Sequence, residues 1–267
     1  MNLKLEYLAM TTFKEYSFQE HKVVYQKIDS IMKSFGYEYY LIGANARDIQ
    51  LYKAGIKPSR GTADIDFAVM IPTLKDYETF ISDILKSGFK KTKHKYRVIY
   101  SESNTVVDVL PYGEIAQDYT LNFDEREIEQ FKVDDKFSIP TSPAHGLIIL
   151  KLISWNDRND RKKDLKDIRS LLDAGWELYK DEIYDEDSIH FDLLEVEHFD
   201  IHNAAARIMG RKIRPMLDKC KPLKDTIISL LQNEVRSPET MTIEMSKADD
   251  TAKVILMLSN LLQGIND

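Results

Sequence analysis

Apolar and polar residues alternate most regularly between residues 63 and 71. Ala63, Ile65, Phe67 and Val69 alternate there with Asp64, Asp66 and Ala68. A period of two predicts a half-buried strand with both carboxylates on one face. Before it, Val24, Ile28, Ile31 and Phe35 recur at helical spacing. That helix is entered through the capping-box spacing Ser17-Phe-Gln-Glu20 and stopped at Gly36. Tyr37 to Ile42 reads as an aromatic-rich strand. It runs straight into Gly43-Ala-Asn-Ala-Arg-Asp48, and Ile49, Leu51 and Tyr52 carry a helix from there to Gly55. The order is strand, glycine turn, helix, which directs the free N–H groups of a helix N-terminus beyond the strand end, as in a phosphate site. The same pattern is also that of an ordinary strand-to-helix turn.

Downstream, Thr73 is placed to cap a helix carrying Leu74, Tyr77, Phe80, Ile81, Ile84 and Leu85, which stops near Gly88. Tyr96 to Tyr100 and Thr105 to Leu110 read as a hairpin around Ser101–Asn104. Asp108 lies opposite in phase to Val107 and Val109, so it could stand beside Asp64 and Asp66. Strand fragments at 131–133 and 137–139 end at Pro140. Ser142 and Pro143 then look like the cap and first position of a helix, and beyond them the pattern is almost wholly helical. The expected architecture is therefore α/β (α+β): a mixed sheet flanked by helices over residues 1–140, then a mostly helical domain over 141–267. Residues 181–200 are acidic and read as a solvated connection.

Composition narrows the setting. The 267 residues, 43% hydrophobic and 30% charged, are enough for one large or two modest cores. The single cysteine, Cys220, excludes an internal disulfide and suggests a reducing, cytoplasmic compartment. No apolar run reaches membrane-span length, and Met1-Asn-Leu-Lys-Leu-Glu6 lacks the apolar core of a signal peptide. The net charge of -7 argues against a general nucleic-acid coat protein. The charge is uneven, however: Lys86, Lys90, Lys91, Lys93, Lys95 and Arg97 form one basic stretch and residues 207–221 hold another. The first stretch, with Tyr96 and Tyr100, offers cations and stacking rings to an RNA, or else a charged edge that resists aggregation.

Adjacent same-face carboxylates repel, so Asp64 and Asp66 need a positive partner, and a hard divalent cation with oxygen ligands suits them. A solvated polar face is the bland alternative. Lys151 sits among Leu147, Ile148, Leu150, Leu152 and Ile153 and either snorkels to solvent or points at phosphate. Arg47 and Asp48 could pair as plain structure, and Arg60 could meet a phosphate or sit in a loop. His198-x-x-x-His202 has helical spacing without the acidic partner of a zinc site, and reads as a surface helix.

The ordered set of Gly43-Ala44, Asp64-x-Asp66 and Asp108 resembles the nucleotidyltransferase fold of DNA polymerase beta and the antibiotic nucleotidyltransferases. The run from Leu147 to Ile168, with a lysine in an apolar helix, an Arg-rich turn and a Lys-Asp-x-x-Asp helix, resembles the AbiEii branch of abortive-infection and toxin–antitoxin proteins. The resemblance covers roughly residues 35–175. It implies an NTP substrate and transfer of an NMP to a hydroxyl. Two magnesium ions would be held by Asp64, Asp66 and Asp108, the catalytic carboxylates. Nucleotide contacts would come from Gly43, Ala44, Asn45, Arg47, Lys151, Arg158 and Asp164, with the helical domain completing the cleft. RNA is the expected acceptor and an antitoxin protein the expected partner. The family's loop serine is Ala44 here, which leaves open a binding module without turnover. A nucleotidyltransferase acting on an aminoglycoside-like small molecule is a further alternative.

Overall fold

The computed structural model describes residues 18–59, 62, 64–112, 128–247 and 250–267. The expected cap Ser17, the strand entry at Ala63 and the phosphate candidate Arg60 lie outside them. Two compact units divide between Pro143 and Ala144.

Among the described residues, the first unit begins with α1 (Phe18–Phe35). Phe18, Val24, Tyr25, Ile28 and Met32 are fully buried along one stripe of it, and Gly36 ends it at φ 69°. Strand β1 (Tyr39–Ile42) leads directly into α2 (Gly43–Lys53), and β2 (Asp64–Met70) follows. Helix α3 (Leu74–Lys86) is capped as expected: Thr73 Oγ1 accepts from Asp76 N at 3.2 Å. Then come β3 (Phe89–Lys91), β4 (Arg97–Tyr100), β5 (Val106–Tyr112), β6 (Glu129–Asp134) and β7 (Phe137–Thr141).

These strands form one mixed sheet in the order β3-β4-β5-β2-β1-β7-β6. Strand β2 runs antiparallel to β1 and parallel to β5, while the β4–β5 hairpin is antiparallel. Ile65, Phe67 and Val69 are fully buried on one face of β2. The Phe67 ring meets Tyr25 of α1 at 6.4 Å and Tyr39 of β1 at 5.9 Å. Burying a side chain of this size stabilises the fold by about 1.5–3 kcal/mol, which is what holds the opposite, acidic face in place. Strand β3 was not expected from the pattern. Only Phe89 of its three residues is buried, so pairing with β4 makes it a strand. Strand β7 continues one residue past Pro140, and Ser142 bonds through its backbone N–H to Leu41 O at 2.9 Å.

The second unit consists of α4 (Ala144–Asp157), α5 (Lys162–Tyr184), a short 3-10 turn (Phe191–Glu195), α6 (Ile201–Asp218), α7 (Lys221–Arg236), α8 (Thr240–Met245) and α9 (Thr251–Asn266). Helices α6 and α9 pack backbone to backbone. A Cβ on Gly210 would meet Leu261 O at 2.2 Å, and one on Gly264 would meet Arg207 O at 2.0 Å. The acidic segment 181–200 is only partly a solvated connection, because His190 and Leu193 are buried within it. His198 and His202 do not share a helix. His198 adopts φ 58° ahead of α6, and the Asp200 carboxylate caps that helix by accepting from His202 N and Asn203 N. Among the described residues, no helix is long and apolar enough to cross a membrane.

Candidate functional site

Strand register places the acidic residues. Asp66 pairs with Asp108 across the parallel β2–β5 ladder, Asp108 pairs with Arg97 across β4–β5, and Ile42 pairs with Asp66 across β1–β2. In-register residues on neighbouring strands point to the same face, about 4.7–4.9 Å apart. Arg97, Asp108 and Asp66 therefore form one row, which ends beside the start of α2. Asp64 lies two residues before Asp66 on the same face, with its side chain 46% exposed.

Gly43 closes the row on one side. It begins α2 at φ 66°, and a Cβ there would lie 2.0 Å from Asp66 Oδ2 and 2.8 Å from Asp66 Cγ. Only a glycine satisfies both the left-handed backbone and that approach. The residue before α2, Ile42, makes no side-chain capping bond, and Gly43 and Ala44 are half-buried rather than sealed. The first-turn N–H groups lack intrahelical partners and carry the positive end of the helix dipole.

Arg97 closes the other side. Its Nε donates to Asp108 Oδ1 at 2.6 Å and its Nη2 to Asp108 Oδ2 at 2.7 Å. Its Nη2 also lies 3.8 Å from Asp64 Oδ2, an ion pair too long for a hydrogen bond. The Asp108 bonds, followed by its charge and that of Asp64, raise the arginine's pKa against the opposing effect of burial. Tyr77 of α3 donates to Val109 O at 3.0 Å, and burial, then Asp108, push its hydroxyl up to about 12.

Neither Arg97 nor Tyr77 was singled out as a site residue from sequence. For Arg97 a signal existed. Counting back from the Ser101–Asn104 turn while counting forward along β5 sets Arg97 opposite Asp108.

The other expected residues are placed as follows. Asn45 is buried, and its side chain serves the fold: Oδ1 accepts from Tyr25 Oη at 2.7 Å and Nδ2 donates to Asp64 O at 2.6 Å. That ties α1, α2 and the start of β2 together and leaves its backbone N–H as the group for a ligand. Arg47, only 2% exposed, donates through Nε and Nη2 to Asp48 Oδ1 at 2.8 and 2.5 Å, the structural pairing allowed from sequence.

In the helical unit, Lys151 of α4 neither snorkels nor lies open. Its Nζ donates to Asp167 Oδ2 at 2.6 Å and approaches Asp164 Oδ1 at 3.5 Å, while Arg161 Nε donates to Asp164 Oδ2 at 2.5 Å. Arg158 is exposed on the turn between α4 and α5.

Asp64 and Asp66 suit a hard divalent cation: both offer oxygen, both lie on one face of β2, and Asp64 is open to solvent. Asp108 differs, because each of its oxygens accepts from Arg97. Among the described residues, no three histidine, cysteine, aspartate or glutamate side chains converge as a metal-binding group.

On the basic stretch, Lys90, Lys91, Lys93, His94, Lys95 and Tyr96 are all exposed along the β3 edge and the β3–β4 connection. The His94 and Tyr96 rings lie 5.8 Å apart. Tyr100 is buried, packed on Phe89 at 5.1 Å, and so cannot stack on a base as the sequence had suggested.

No protein-family model matches the chain and no curated protein matches it. Among solved structures the chain is similar to the antibiotic-resistance factor ANT(2'')-Ia. The identity is 11% over 56% of this chain and 80% of that one, with a TM-score of 0.37. It is also similar to an antigenic nucleotidyltransferase-like protein from Paracoccidioides brasiliensis. There the identity is 17% over 76% of this chain and 91% of that one, with a TM-score of 0.42.

Proposed function

We propose that the chain is a nucleotidyltransferase that moves an NMP from an NTP to a hydroxyl acceptor. The observation that carries this reading is the row in which Asp66 and Asp108 stand side by side on parallel strands while Gly43, at the start of α2, is backed onto the Asp66 carboxylate. In the reaction the acceptor oxygen attacks the α-phosphorus and the bond to the β-phosphate oxygen breaks. Pyrophosphate departs and the hydroxyl proton is released to solvent. Such a transfer asks the protein for positioning and charge compensation rather than covalent chemistry.

The backbone N–H groups of Gly43, Ala44 and Asn45 supply donors for phosphate oxygens. A divalent cation such as magnesium, held by Asp64 and Asp66, would neutralise the triphosphate and the leaving pyrophosphate.

RNA is the acceptor we favour. The exposed lysines of the β3 edge, with His94 and Tyr96, supply phosphate contacts and a ring surface on a protein that is acidic overall. The toxin setting, in the cytoplasm and with an antitoxin partner, rests on the AbiEii resemblance of residues 147–168. A small adjacent gene for a DNA-binding antitoxin would support it. The activity is tested by incubating the protein with α-labelled NTPs, magnesium and total RNA. Label should enter RNA with release of pyrophosphate, and Asp66→Ala should abolish both. Absence of label from RNA, protein and small-molecule acceptors alike would remove the enzymatic reading.

A further inference from the structure

A groove of about 440 Å³ lies wholly within the helical unit, between α6, α9 and the loop that leads from the 3-10 turn into α6. Leu193, Val196, Phe199, Ala204 and Leu256 line it with apolar surface. Three of them are left to solvent: Val196 is 44% exposed, Phe199 37% and Leu256 52%. Phe199 also meets Trp176 of α5 at 6.1 Å, and Trp176 meets Tyr184, itself 59% exposed, at 5.9 Å. The aromatic surface therefore continues from the groove to the end of α5. Apolar groups gathered at a water-facing concavity are what a docking partner buries, and tryptophan and tyrosine are frequent anchors of such interfaces.

Charge defines the partner. Residues 181–200 hold nine aspartates and glutamates and no lysine or arginine. Glu197 and Asp200 line the groove, while Glu195 beside it and Asp185, Glu186 and Asp187 after Tyr184 are exposed. Among the described residues, none of these six is paired with a lysine or arginine. The nearby cations are already engaged. Arg207, which lines the groove, donates to both oxygens of Asp267 at 2.9 Å, and Arg211 donates to both oxygens of Asp192 at 2.6 and 2.7 Å. A second copy of the chain would bring the same carboxylates and be repelled. The groove is also preformed, because the Asp200 carboxylate ties the loop to α6 by accepting from His202 N and Asn203 N at 3.0 and 2.9 Å. Helices α6 and α9 spend their backbone groups internally and offer no strand edge, so the occupant must satisfy its own backbone, as a helix does.

We propose that this groove docks a basic amphipathic helix of a protein partner. The apolar face of that helix lies against Val196, Phe199 and Leu256, and its lysines or arginines lie against the carboxylates of residues 185–200. The proposal stands apart from nucleotidyl transfer and does not depend on it.

The test titrates the full chain into a fluorescein-labelled synthetic helix of leucine and lysine, with leucines at i, i+3, i+4 and i+7, and reads anisotropy. Wild type should bind it saturably, and affinity should fall as salt rises. Val196→Gln with Leu256→Gln should weaken binding at least about tenfold. Glu195→Gln with Glu197→Gln should do the same and flatten the salt response. Ile243→Gln, at an exposed apolar residue of α8, should bind as wild type does. No saturable binding to wild type, or equal binding by the Val196 and Leu256 double variant, would overturn the proposal. So would equal binding of a peptide with serine in place of leucine, since charge alone would then hold it. Self-association of wild type in sedimentation that the same double variant abolishes would give the groove to a second copy and also overturn it. Circular dichroism checks folding. If the Leu256 change unfolds α9, Val196→Gln alone decides by the same comparison, because Val196 lies outside any helix.

Discussion

Replacing Gly43 with alanine isolates the contact on which the proposed site depends. Gly36, Gly43 and Gly55 adopt nearly the same backbone, at φ 69°, 66° and 69°. An alanine at any of them carries the left-handed penalty of about 1–2 kcal/mol. Among the described residues, the new Cβ has a neighbour within 4 Å at Gly43 and none at Gly36 or Gly55. At Gly43 the Cβ would fall 2.0 Å from Asp66 Oδ2, well inside contact distance, so the carboxylate must swing away or β1 and α2 must part. Gly55→Ala should therefore lose about 1–2 kcal/mol in a urea melt and keep its rate of label transfer. Gly43→Ala should lose at least as much stability and about a hundredfold in transfer rate, the scale of a misplacement near 1 Å at a reacting centre. The rate is compared under conditions where the urea melt shows each variant folded, so that a loss of rate does not come from unfolding. A domain with about 5–15 kcal/mol of stability that loses about 2 remains almost entirely folded. Equal transfer rates for Gly43→Ala and Gly55→Ala would refute the placement of Asp66 at the reaction centre.

Lys151→Met should destabilise the protein by up to about 3–5 kcal/mol in denaturant melts without any nucleotide, because it removes the buried ammonium that donates to Asp167. A stable variant with weakened NTP binding would instead make Lys151 a phosphate ligand. His145, buried against Tyr179 Oη at 3.0 Å, has its pKa lowered from 6.5 to about 3 by burial and then by Lys212. The unfolded chain takes up this proton first as pH falls. The stabilisation is therefore complete above about 6.5 and is lost towards about 3, with a slope of at most about 1.4 kcal/mol per pH unit. His145→Asn should flatten that slope relative to wild type in melts across the range, and an unchanged slope would exclude the buried imidazole as its source. Changing Lys90, Lys91 and Lys93 to glutamate should abolish RNA binding and leave nucleotide binding intact. RNA affinity that survives the change, or that does not fall with salt, would move the acceptor site elsewhere.

Much of the first unit was legible in the sequence because its signals are local. Alternation in β2 needs only the two-residue repeat of an extended chain. The Thr73 cap and the glycine after β1 need only a helix end and a positive φ. The hairpin between β4 and β5 even held the register that pairs Arg97 with Asp108, since a short turn leaves little freedom for slippage. In the helical unit the same locality gave helices but not partners. Lys151 looked either solvated or aimed at phosphate, and its carboxylates came from the next helix.

Non-local pairings were legible only through the family resemblance, which set Asp108 beside Asp64 and Asp66. That β2 pairs in parallel with β5, bringing Asp66 beside Asp108, is decided by how some forty intervening residues fold back on the sheet, and no period within either strand encodes it. Asn45 shows the same limit. Its neighbours in the chain suggested a phosphate loop, but its amide is taken by Tyr25 and the Asp64 carbonyl. A local pattern states which groups a segment can offer. The tertiary structure decides which of them are spent within the fold, because a buried polar group must find its partner there and a partner so found is no longer available to a ligand.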